Sequence, residues 1–103
     1  MTLEDEFTAV LRGTVEAAQR LGYPARRFNR MLDQYRGVAT AKRLIAKEES
    51  QSGLDALWEL RLLNNSMEAE MLRSRFRSLF TAEELAEARK RLEDRGMDTS
   101  SID

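Results

Sequence analysis

Apolar residues recur along this chain every three or four positions and nowhere alternate with polar ones over a useful length, so the pattern predicts helices and no strands. Leu3, Phe7, Val10, Leu11, Thr14, Ala18 and Leu21 stack on one side of a helix over 3–21. Thr2 with Asp5 three residues later resembles a capping box at its start, and Gly22 suits the left-handed residue that closes it. A second helix takes Pro24 in its first turn, carries Phe28, Met31, Leu32 and Tyr35, and ends at Gly37. Val38, Ala41, Leu44 and Ile45 mark a third, which fades into a polar loop over 47–51.

Ser52 with Asp55 opens a fourth helix with Leu54, Leu57, Trp58, Leu60 and Leu62, stopped by Asn64-Asn65. Asn65 or Ser66 caps a fifth, bearing Met67, Met71, Leu72, Phe76, Leu79 and Phe80, with a break expected near Ser74. Thr81-Ala82-Glu83-Glu84 is the sharpest local signal, a capping box for a sixth helix with Leu85, Ala88 and Leu92 that ends at Gly96. The expected fold is therefore all-α, a compact bundle of five or six short helices. One domain occupies 1–96, and 97–103 reads as a flexible C-terminal tail. The first helix, the longest, should cross the middle. The predicted core is Phe7, Leu11, Phe28, Leu32, Leu44, Leu57, Trp58, Leu72, Phe76, Leu85 and Leu92.

A length of 103 residues allows one core and excludes two. Charged residues make up 34%, which suits helices with densely charged outer faces. There is no cysteine and no histidine, which removes disulfides, thiolate chemistry, the commonest general base and the commonest metal ligands. No glycine-rich phosphate loop and no calcium-loop pattern occurs. A carboxylate-only Mg²⁺ or Ca²⁺ site is the one enzymatic option left open, and the chain is read as a non-enzyme without a cofactor. No apolar run approaches a bilayer span, the acidic first residues do not resemble a signal peptide, and a cytoplasmic location is expected.

Net charge is −1, yet it is unevenly spread. Between Arg20 and Lys47, eight basic residues face only Asp33; 48–70 is strongly acidic; Arg73, Arg75 and Arg77 follow around Phe76. Arg26, Arg27, Arg30, Arg36, Lys42, Arg43, Arg73 and Arg77 are the candidate contacts for a partner. Two short helices meeting at Arg36-Gly37-Val38 could form a helix-turn-helix, with Arg30, Lys42 and Arg43 on phosphates. The plainer alternative is that these charges solvate helix faces and pair with nearby acids. The expected function is a small protein-interaction module, docking on a protein or on itself, with accessory nucleic-acid binding through Arg26 to Arg43 as the alternative. No membrane partner and no small-molecule substrate is evident.

Three ordered blocks carry a resemblance: Gly22-Tyr23-Pro24 through Ala41-Lys42-Arg43-Leu44; Gly53-Leu54 through Ser66-Met67-Glu68; and Phe76 through Ala88-Arg89. Over about residues 3–95 the chain resembles a family of short bacterial all-helical proteins with no assigned activity. The resemblance implies a helical fold, suits an interaction module, and supplies no site residues. Arg36 stands where that pattern has a second Gly, and Glu70 and Ser74 stand where it has Leu and Pro. Glu70 within an apolar helix raises the question of how a carboxylate there is paired.

Overall fold

Both capping boxes form. In the computed structural model, which describes residues 1–47 and 51–103, Thr2 Oγ1 accepts from the Asp5 amide and starts α1 (Leu3–Arg20). The helix closes as expected. Gly22, at φ 96°, lets Tyr23 N–H donate back to the Ala18 carbonyl. Pro24 lies outside the next helix. Ala25, itself left-handed at φ 45° with no side-chain cap, precedes α2 (Arg26–Ile45).

The expected stop at Gly37 is a kink within α2. Arg36 takes φ 68° and ψ −178°, a conformation glycine enters freely and other residues enter only under strain. Close approach is the cause. Gly37 N–H donates to Thr8 Oγ1 at 2.8 Å, and that hydroxyl donates onward to the Glu4 carbonyl. A Cβ on Gly37 would lie 2.9 Å from Thr8 Cα, so the helices cross backbone against backbone and only glycine fits. Thr40 Oγ1 reaches back over the kink to the Met31 carbonyl at 3.0 Å. Arg36 holds this backbone while pairing with Asp5.

Residues 48–50, most of the expected loop, lie outside the described residues. Helix α3 (Ser52–Glu59) begins one residue early, with Gln51 at its cap and Ser52 inside. It also ends early. Arg61 is left-handed at φ 62°, and Leu62 N–H donates to the Leu57 carbonyl, the same closing motif that Gly22 makes after α1. After a turn at Leu63–Asn65, Ser66 caps α4 (Met67–Leu72) by accepting from the Ala69 amide. The expected break comes at Arg73, which is extended, and a 3₁₀ turn at Arg77–Leu79 leads to α5 (Ala82–Glu93). No strand occurs among the described residues.

Every residue of α4 is buried, so this six-residue helix, and not α1, occupies the middle. Phe7 packs edge-on against Phe76 and Phe80 at 5.1 and 5.2 Å between ring centres. Leu11, Leu32, Leu72, Phe76 and Leu92 are buried as predicted, and Phe28, Leu44 and Leu85 are half-buried against the same cluster. Trp58 departs from the prediction: it is 49% exposed and lies in the last turn of the short α3. Leu57 is only half-buried. The expected frayed end also folds back. Ile102 is 6% exposed within the core cluster, and Thr99 Oγ1 donates to Glu93 and accepts from Arg89.

Among the described residues three charged residues are buried, Arg91, Glu68 and Glu70, and Arg91 lies deepest. Arg91 is 1% exposed. Its guanidinium donates to Glu87 at 2.8 Å and to the carbonyls of Leu44, Ile45 and Lys47 at 3.4, 3.2 and 2.9 Å. These carbonyls lie at and just past the end of α2, where no further helical turn donates to them, and Leu44 also accepts from a neighbouring amide, that of Lys47. Arg91 therefore acts as a C-cap delivered from another helix, and its charge complements the helix dipole. Glu70 is buried too, and Arg73 Nε answers it at 2.9 Å.

Candidate functional site

The eight basic candidates do not form one patch. Arg36 pairs with Asp5 at 2.6 Å and Lys42 with Glu84 at 2.7 Å, both across elements. Lys42 also lies 5.4 Å above the Phe80 ring, and Arg43 stacks 3.9 Å over Tyr35. Arg73 binds Glu70 and the Asn64 carbonyl, and Arg77 Nε donates to the Leu72 carbonyl at 2.6 Å, which ends α4. Because the helix breaks at Arg73, Arg73 and Arg77 serve the turn and do not share a helix face. Arg26, Arg27 and Arg30 are exposed and make no ion pair among the described residues. They share the first turns of α2, which hold no acid.

The helix-turn-helix expectation has no free second helix. From Gly37 to Ile45 only Arg43 is exposed, whereas a recognition helix must present a face to the groove. Among the described residues no three carboxylates stand together as a metal would need. No helix is long and apolar enough to cross a membrane.

Sequence patterning gave no sign of two other features. A pocket of about 130 Å³ lies between α1, the start of α2, α3 and α4. Val15, Ala18, Phe28, Met31, Leu54 and Met67 make it largely apolar, and Arg27 and Glu68 stand on its lining. Glu68 is 4% exposed. Burial pushes its carboxyl above the ordinary value of 4.5, and the Arg91 guanidinium only partly offsets this. The geometry agrees: Arg91 Nη1 stands 3.6 Å from Glu68 Oε2, while its shorter bonds go elsewhere.

The chain matches no family model, and no curated protein or solved structure is similar to it. The site must therefore be read from its own chemistry.

The other feature is the Trp58 surface. The indole borders a shallow depression with Arg61, Leu63, Arg95 and Met97. Arg95 is held there by Asp55 at 2.8 Å. No sequence signal reached it: Asn64-Asn65 mark a helix stop, but nothing marks the earlier stop before Arg61 that leaves Trp58 in the last turn. For Glu68 and Arg91 the signal pointed the other way. The Glu87/Arg91 spacing of four is that of a solvated surface pair.

Proposed function

We propose that this chain is a non-enzymatic interaction module that docks on a protein surface, with Trp58 at the centre of the contact. One observation carries the reading: a large aromatic, half exposed, sits in a depression beside Arg61, Arg95 and Met97. Trp, Arg and Met are the residues enriched at the centres of protein interfaces, where one aromatic can hold much of the binding energy. The ion pairs that hold Arg36, Lys42 and Arg73 leave fewer charges for any other partner. The test compares the wild type with Trp58→Ala, in sedimentation over a concentration series and in capture of partners on an immobilised chain. The reading expects a self-association or a captured protein that the variant loses while its helix content is unchanged. Identical behaviour of the two chains would sink it.

A second reading keeps accessory nucleic-acid binding, now confined to Arg26, Arg27 and Arg30. Its support is that these three guanidinium groups have no acid partner among the described residues and flank a helix start with no side-chain cap. Three phosphate contacts imply a slope of about −3 for log affinity against log salt. A triple Arg→Gln variant with unchanged binding, or a wild type without binding at low salt, would remove this reading.

A further inference from the structure

The pocket beside α1 combines features that a finished core keeps apart. Its lining is largely apolar, and a buried acid, Glu68, stands on it with no ion pair among the described residues closer than 3.6 Å. An ionised carboxylate can accept at about four positions. The Arg91 cation stands 3.6 Å from Glu68, beyond hydrogen-bonding distance, and is already engaged by Glu87 and three carbonyls, while Arg95, which also acts on Glu68, is held by Asp55. Glu68, Glu87 and Asp55 against Arg91 and Arg95 carry one negative charge in excess when ionised. The space, about 130 Å³, approaches that of an engineered apolar cavity that admits a benzene ring, about 150 Å³.

We propose that this pocket binds a small apolar ammonium, a single ring or branched alkyl group carrying a primary amine, with the apolar body against Ala18, Phe28 and Leu54 and the amine donating to Glu68. The amine supplies the donors that Glu68 lacks, and a charge-assisted bond in a dry site is stronger than a neutral one. Arg27 lies at the lining where α2 begins, so the outer end of the ligand is neutral or acceptor-bearing and not a second cation. The site is separate from the Trp58 surface, and its fate is independent of the docking reading.

The probes are benzylamine, benzyl alcohol and benzoate, followed by amide chemical shifts of a ¹⁵N-labelled chain. Benzylamine should saturate shifts at pocket residues such as Ala18, Leu54 and Met67, and benzoate should not. In Glu68→Gln the affinity for benzylamine should fall about tenfold or more while that for benzyl alcohol holds. Absence of saturable shifts, benzoate binding as tightly as benzylamine, or undiminished benzylamine affinity in Glu68→Gln would each overturn the proposal. Should Glu68→Gln not fold, Leu57→Trp, which fills the half-buried wall, decides it: loss of the benzylamine shifts supports the pocket, and their retention refutes it.

Discussion

Arg61 and Arg91 show how much depends on where a side chain's backbone and charge fall. Arg61 occupies the left-handed position that Gly22 and Gly96 fill at the ends of α1 and α5. A residue with a Cβ is strained there, and glycine is not. Arg61→Gly should therefore raise stability by about 0.5–1 kcal/mol in urea denaturation, after the entropy glycine adds to the unfolded chain. Arg91 is the opposite case. Arg91→Met strips the nearest cation from Glu68 and one donor from each of three carbonyls, and should cost about 3–5 kcal/mol. Arg91→Lys should recover little, because one ammonium cannot serve partners spread around a planar fork. In a double-mutant cycle, adding Glu68→Gln to Arg91→Met should return part of the loss, and the remainder measures the orphaned end of α2.

Elements were legible in the sequence where one residue type could do one job. Thr2 with Asp5, Thr81 with Glu84, and the glycines at 22 and 96 fixed the ends of α1 and α5 because their side chains or lack of one decide the local backbone. What failed to show were ends set by left-handed residues other than glycine and a kink set by tertiary contact. The start of α2 at Arg26 follows a left-handed Ala25, the stop of α3 follows a left-handed Arg61, and the kink of α2 answers Thr8 on another helix. The same limit hid the candidate pocket, since its acid and its apolar wall come from four elements. The tail illustrates the point in stability: its polar composition reads as frayed, yet Ile102 reaches the core. Ile102→Ala should cost about 2 kcal/mol or more, and chains ending at residue 96 should melt lower than the full chain. Equal melting temperatures would show that the tail contributes nothing.

For the whole molecule, charge sets how stability changes with pH. Burial raises the Glu84 carboxyl, but hydrogen bonds from Lys42 and the Thr81 amide outweigh it and leave it below its ordinary 4.5. Its contribution is present above that value and is lost as pH falls through the depressed folded one. Glu68 acts with the opposite sign. Its folded pKa is raised, so its contribution is complete below 4.5 and is lost as pH rises through the raised value. Glu68→Gln should thus gain on the wild type as pH climbs above the ordinary carboxylate range, read as a widening gap in melting temperature. A gap that stays constant with pH would mean that Glu68 is ionised at no net cost.

The guanidinium that closes α2 comes from a residue 46 positions further along the chain. During synthesis, α1 and α2 leave the ribosome long before Arg91 exists. Until then the end of α2 must give its carbonyls to water and Glu68 must stay near the surface. A nascent or proteolysed fragment ending before α5 thus lacks the donor that closes α2 and the cation nearest Glu68, both of which come only with the last helix.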